Sequence, residues 1–293
     1  MSHVESEIAS QPACWAQAAA LSPASPLPAV GERIAVIGCG TSWFVAQAYA
    51  ALREAAGAGE TDAFPASEMP FRRTYDRVVA ITRSGTTTEV LEVLERLGRR
   101  TPTLAVTADA ATPVRDMAGE IVVLDFADER SVVQTRFATS TLALLRASLG
   151  EDIEPVVADA EKALATELDP GLVVAEQLTF LGTGWTVGLA HEAALKMREA
   201  AGAWTESYPA MEYRHGPISI TGPGRVAWLF GAPPAGLSAD VAATGGRLER
   251  SELDPMADLV RAQRLAVAVA TARGLDPDNP RHLTRSVVLT DQG

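Results

Sequence analysis

Two short loops, Gly-Cys-Gly-Thr-Ser at 38–42 and Thr-Arg-Ser-Gly-Thr-Thr-Thr at 82–88, each follow an apolar β-branched run and open what reads as a helix. A strand that ends in glycine and hydroxyl residues leaves the first N–H groups of the next helix facing open space. An anion satisfies those groups, and the helix dipole favours it there. The loops therefore commit the chain to strand–loop–helix units and raise the question of which phosphorylated molecule they hold.

Apolar strands and helical patterns alternate through the first half: Arg33–Ile37, helix Ser42–Ala56, Arg77–Ile81, helix Thr88–Leu97, Thr103–Val106, Glu120–Leu124 and helix Val132–Leu149. Such alternation predicts an α/β fold, a parallel sheet with helices on both faces. A helix over Glu154–Leu168 leads to a second strand–glycine loop–helix unit, Gln177–Leu181 followed by Trp185–Ala201. Strand Arg225–Phe230, helix Met256–Ala272 and a terminal run Arg281–Leu289 complete the pattern. Residues 231–255 are rich in Gly, Ala and Pro and show no clear strand, so the second unit reads as abbreviated. The expected organisation is an N-terminal helix and linker over 1–29, a first doubly wound unit over 30–150 and a second over 151–293.

At 293 residues with 47% hydrophobic content, the chain can bury a sizeable core. No run approaches the ~18 apolar residues that span a bilayer, and no basic segment followed by an apolar core opens the sequence, so a cytoplasmic protein without a membrane partner is expected. Cys14 and Cys39 lack metal-ligand spacing and stand among four histidines, which argues against a metal site. The net charge of −12 argues against a nucleic-acid partner and repels small anions at long range. An anionic substrate must then be held by local N–H groups, hydroxyls and a few cations.

Loop 38–42 is tested first against a dinucleotide fingerprint. Its third glycine would fall at position 43, where Trp43 obstructs the close packing that glycine permits, which argues against a nicotinamide or flavin cofactor. Thr41 or Ser42 acting only as a helix cap is the simpler alternative. The second loop carries five hydroxyls, Thr82, Ser84, Thr86, Thr87 and Thr88, with Gly85 allowing close backbone approach. Thr86 and Glu89 fit a capping box, and the other hydroxyls exceed what a cap requires.

On helix Trp185–Ala201, Glu192, Lys196 and Glu199 fall at i, i+4 and i+7 along one face, with His191 and Arg198 beside them. A solvated charged face accounts for that spacing equally, since alanines and Met197 form the opposite arc. The lysine argues the other way. Of 25 basic side chains only Lys162 and Lys196 are lysines, so an ammonium at 196 answers a specific need. Downstream, Glu-Tyr-Arg-His-Gly-Pro at 212–217 places His215 before a stiff turn, where an imidazole serves either as acid/base or as a structural side chain.

Together these motifs, with His-Glu-Ala-Ala-Leu-Lys-Met-Arg-Glu at 191–199 and the tail Asp-Asn-Pro-Arg-His-Leu-Thr-Arg-Ser-Val at 278–287, resemble the sugar isomerase (SIS) family. The likeness is to the double-SIS isomerase half of glutamine–fructose-6-phosphate aminotransferase and to stand-alone hexosamine-phosphate deaminases and isomerases. It implies two doubly wound α/β SIS units in tandem, a homodimer with active sites at subunit boundaries, no cofactor and a phosphorylated amino sugar as substrate. By the same resemblance, Thr41, Ser42, Thr82, Ser84 and Thr87 hold the substrate phosphate. Glu199 matches the proton-shuttling base, Lys196 and Glu192 flank the sugar hydroxyls, and His215 assists ring opening, often from the neighbouring subunit.

Two departures bear on the reaction. Arg285 stands where the aminotransferase carries an imine-forming lysine, and a guanidinium stays protonated and forms no imine. With about 30 residues before the first strand, no glutamine-hydrolysing domain is expected. The expectation is an isomerase/deaminase that abstracts the carbon-2 proton through an enediol or enolamine. The alternatives are a lyase that dehydrates an N-acetylhexosamine 6-phosphate by the same abstraction, and a non-catalytic sugar-phosphate sensor.

Overall fold

The computed structural model describes residues 2–289. In chain order, α1 (His3–Ala9) and α2 (Gln11–Leu21) precede β1 (Ile34–Gly38), α3 (Thr41–Ala55), β2 (Thr61–Pro65), β3 (Arg77–Ile81), α4 (Thr88–Leu97), β4 (Thr103–Thr107), α5 (Val114–Met117), β5 (Glu120–Val123) and α6 (Arg136–Ser148). There follow α7 (Glu154–Ala165), α8 (Pro170–Val173), β6 (Gln177–Gly182), α9 (Thr186–Ala201), β7 (Thr205–Pro209), β8 (Arg225–Leu229), α10 (Leu237–Ala243), β9 (Arg247–Arg250) and α11 (Pro255–Ala272). None of the described helices is long and apolar enough to cross a membrane.

The chain divides into two compact units, each discontinuous in sequence. One holds residues 13–129, 136–153 and the tail from Thr284; the other holds residues up to Pro12, 130–135 and 154–283. The N-terminal helices are thus shared out between the units, and the tail from Thr284 clusters with the first sheet.

The first unit is built on a parallel sheet of order β2-β1-β3-β4-β5. Strands β1 and β4 are buried along their whole length, and β3 is buried from Val78 onward, which is why they read as unbroken apolar runs. Ile37, Val78, Val90, Val93 and Leu94 form one layer of the core. Trp15 of α2 is fully buried and donates its Nε1–H to Thr139 of α6 at 2.8 Å. In the second unit the order is β7-β6-β8-β9, again all parallel. Phe180, Trp228 and Phe230 pack with ring centroids 6.0–6.4 Å apart, and the Trp228 Nε1–H reaches Asp258 of α11 at 2.9 Å. With four strands against five, the second sheet is the smaller, as the sequence pattern indicates.

In both sheets the strand order reverses beside the first strand, between β1 and β3 and between β6 and β8. In open α/β sheets a crevice opens at that switch, beyond the carboxyl ends of the strands. Each first strand ends in a glycine for a steric reason. A Cβ on Gly38 would lie 2.7 Å from Ser42, and one on Gly182 would lie 2.3 Å from the Thr186 carbonyl oxygen. Only glycine lets the helix start so close above its strand. Gly38→Ala and Gly182→Ala are each expected to lower the free energy of unfolding by about 1–3 kcal/mol through overpacking, read from urea denaturation midpoints.

Candidate functional site

In the first unit the two hydroxyl loops lie side by side, because they leave the neighbouring strands β1 and β3 at their carboxyl ends. Thr41 and Ser42 form the first turn of α3 and are buried, as are Thr82, Arg83 and Ser84. Gly40 turns the first loop with φ 54°. Cys39 lies between the glycines, and burial, with Glu89 nearby, pushes its thiol up to about 11. It stays protonated at neutral pH and adds no negative charge to the loop.

The second loop is held from within. Ser84 Oγ accepts from the Thr86 N–H at 3.2 Å and the Thr86 hydroxyl at 3.1 Å, and lies 3.5 Å from the Thr87 hydroxyl. The capping box expected of Thr86 and Glu89 does not form. Thr87 is the cap residue of α4, with no side-chain cap bond, and the Thr86 hydroxyl is drawn instead to Ser84 and to Ser286 at 3.0 Å. The Thr82 hydroxyl is buried without a hydrogen-bond partner. A buried hydroxyl left unpaired is costly. The corresponding loop of the second unit differs. There the Thr186 hydroxyl accepts from the Thr183 N–H at 2.8 Å and has the carbonyls of Thr183 and Phe230 each 3.1 Å away to take its one proton, so that hydroxyl is fully engaged.

Sequence reasoning did not single out the ion pair beneath the second loop. Arg83 meets Glu129 at 3.2 Å with both side chains fully buried. Arg83 also donates to the Arg285 carbonyl at 3.1 Å. Arg285 in turn pairs with Asp128 at 2.5 Å and donates to the Glu129 carbonyl. Alternation patterns carry no sign of such long-range pairing. The only available signal was an arginine amid hydroxyls at position 83.

In the second unit, α9 brings Glu192, Lys196 and Glu199 together as the spacing predicts, and their burial decides between the readings left open. Lys196 and Glu192 are 1% and 2% exposed, so this face is not a solvated one. Lys196 Nζ donates to Glu199 Oε2 at 2.5 Å and lies 3.4 Å from Glu192 Oε1. A buried ammonium demands such partners, since stripping it of water costs several kcal/mol in practice. The Glu199 side chain remains 19% exposed and opens into a cleft of about 560 Å³ within the same unit. Asn279, Arg281 and His282 of the segment after α11 share that cleft.

The histidine on this helix and the one downstream of it part company. His215 ends a single helical turn, Glu212–His215, and is exposed to solvent. His191 shares a hydrogen bond with Ser207 at 2.9 Å, and burial, with Arg198 nearby, holds its imidazole below the ordinary 6.5.

No protein-family model matches the chain. In sequence it is similar to glutamine–fructose-6-phosphate aminotransferase (isomerizing) of Gloeobacter violaceus, 28% identical over 316 residues, which cover 88% of this chain and 52% of that protein. The enzyme of the same name from Methanothermobacter thermautotrophicus is 28% identical over 306 residues with the same coverage. The chain thus spans about half the length of the curated relatives it matches. Among solved structures it superposes on glucosamine-6-phosphate deaminase of Thermotoga maritima with a TM-score of 0.84 at 23% identity, covering 98% of this chain and 100% of that one. Tagatose-6-phosphate ketose/aldose isomerase of Escherichia coli gives 0.83 at 19% identity, covering 100% and 97%. The fold is that of the sugar-phosphate isomerases. Within that fold, this chain carries glycine-hydroxyl loops at a switch point and a buried Glu–Lys–Glu face.

The depressed His191 imidazole links folding to pH. Below 6.5 the unfolded chain takes up a proton that the folded chain resists, so stability falls as pH drops through that value. His191→Gln is expected to flatten the decline between pH 7 and pH 5, measured by urea unfolding across that range against the wild-type protein.

Proposed function

We propose that this protein is an amino-sugar 6-phosphate isomerase/deaminase, working as a cytoplasmic homodimer, in which Glu199 removes the carbon-2 proton of the open-chain sugar. Each parallel sheet with its helices is read as one SIS unit. The observation that carries the reading is the short Lys196–Glu199 pair at the mouth of a cleft, backed by a buried second carboxylate.

Moving a proton between carbons 1 and 2 needs one carboxylate near the acidic C–H bond and a donor for the oxygen that becomes negative. Glu199 and Lys196 supply this pair one turn apart. Glu192 holds the ammonium charged and oriented while Glu199 takes and returns its proton. Thr41, Ser42, Thr82, Ser84 and Thr87 bind the phosphate through hydroxyls and backbone N–H groups, and the unpartnered Thr82 hydroxyl supports that assignment. His215, exposed on a short turn, is suited to reach a neighbouring subunit's substrate and assist ring opening. Isomerisation is redox-neutral, so these groups suffice without a cofactor. Arg285 forms no imine, because its guanidinium keeps its proton and is engaged with Asp128 and the Glu129 carbonyl. Proton abstraction from carbon is the route this leaves.

Glucosamine 6-phosphate is expected to yield ammonia and a keto-sugar phosphate. An ultraviolet-absorbing product from the N-acetyl form would instead mark a dehydratase, and saturable binding without turnover a sensor. Glu199→Gln is expected to reduce solvent-deuterium exchange at carbon 2 by about 10²–10⁴-fold while leaving phosphate-ester affinity nearly intact. Ser84→Ala is expected to do the reverse, weakening affinity about tenfold by calorimetry. Retained exchange in the Glu199 variant removes that residue from its role.

A further inference from the structure

The cleft into which Glu199 opens holds one imidazole, and it is not His215. His282 lines the cleft together with Arg198, Glu199, Asp276, Asn279 and Arg281, all in the same unit. His282 is also the one described non-glycine residue with positive φ, at 64°. Such a backbone costs energy for a side chain with a Cβ, and persists where the surroundings impose it. His282 is solvent-exposed and makes no side-chain hydrogen bond or ion pair among the described residues. Nothing in the fold therefore calls for an imidazole there, and glycine or asparagine would meet the backbone's needs better.

We propose that His282 is the proton-transfer partner of Glu199 in this cleft, acting on the oxygen of carbon 1 and the nitrogen of carbon 2. The proposal rests on the carbon-2 reading above. The C2–H bond breaks and its proton passes to the Glu199 carboxylate, while the electron pair forms the C1–C2 double bond. The carbonyl π pair moves onto the carbon-1 oxygen, which takes a proton from the imidazolium. The nitrogen lone pair then forms the C2–N double bond as Glu199 returns its proton to carbon 1. The iminium gives a proton back to the imidazole, so both residues are regenerated, and water hydrolyses the imine to ketone and ammonia. Lys196 steadies the negative oxygen by hydrogen bonding, but without a further acid the proton that oxygen takes up comes from solvent. An imidazole beside it supplies and recovers that proton near neutral pH.

The test uses His282→Gly, which suits the positive φ and leaves an imidazole-sized gap, and His282→Asn, which suits the same backbone. With glucosamine 6-phosphate, kcat for ammonia release is expected to fall about 10²-fold or more in both, with KM changed little. Added imidazole is expected to restore turnover in the glycine variant, a response that loss of a merely structural side chain does not give. Activity within twofold of wild type in both variants, or a loss that imidazole does not relieve, overturns the proposal. Glu199→Gln assayed in parallel separates the two failures. An inactive Glu199 variant beside fully active His282 variants sinks His282 alone, whereas retained carbon-2 exchange in the Glu199 variant, or none in the wild-type protein, sinks the reading beneath it.

Discussion

A parallel strand that ends in glycine can pass its chain into a helix with almost no intervening space, and this close approach sets the chemistry of both units. At Gly38 and Gly182 any side chain would strike the helix that follows, within 2.7 and 2.3 Å of its atoms. The helices consequently begin at the carboxyl edge of their sheets with their first N–H groups directed outward. In the first unit this start lies beside the hydroxyl loop that leaves the adjacent strand β3, so hydroxyls from both loops gather in one place. That convergence follows from strand order: β1 and β3 are neighbours only because β2 was laid down on the other side.

Charge explains why the site takes the form it does. A chain with a net charge of −12 attracts no anion from a distance. The cation within the second hydroxyl loop, Arg83, is paired with Glu129 in the interior, so its charge is not offered to a ligand. On the proposed reading, anchoring of an anion falls to neutral donors at short range, which bind by geometry and lose little to salt screening. The second unit solves the converse problem. Lys196 is buried between two carboxylates, one deep and one at the cleft, and the outer carboxylate keeps access to solvent.

Much of this was legible in the sequence, and the reasons are specific. Strands β3 and β6 and helix α4 announce themselves because burial on both faces produces apolar runs and a strong helical period. Strands β2, β7 and β9 do not. They lie at sheet edges, carry residues such as Asp62, Glu206 and Arg247, and in two cases end in proline, so they read as loops. The helix over Leu237–Ala243 was hidden in the same way by its Gly- and Pro-rich surroundings. For the candidate site, the spacing of Glu192, Lys196 and Glu199 gave the shared face but not its burial, which depends on the packing of α11 and β7 against α9. The capping box at Thr86 failed for a related reason: a hydroxyl two hundred residues away competes for the same bond.

That competitor belongs to the tail, where the exchange of lysine for arginine acquires a physical meaning. A lysine at 285 would present one ammonium able to lose its proton and attack a carbonyl; arginine presents a rigid fork that cannot. Here the fork is spread between the Asp128 carboxylate and the Glu129 carbonyl, while the Arg285 carbonyl accepts from Arg83. Residues beyond it lie along α4, with the Val287 carbonyl accepting the Thr88 N–H at 3.1 Å and the Leu289 N–H donating to the Thr88 hydroxyl at 2.9 Å. The tail thereby takes one of the free donors at the helix start. On the proposed reading, anion binding falls to the Ser84–Thr87 turn and the Thr82 hydroxyl. A position where lysine would offer a nucleophilic amine instead braces the hydroxyl loop through Asp128, Glu129 and Arg83.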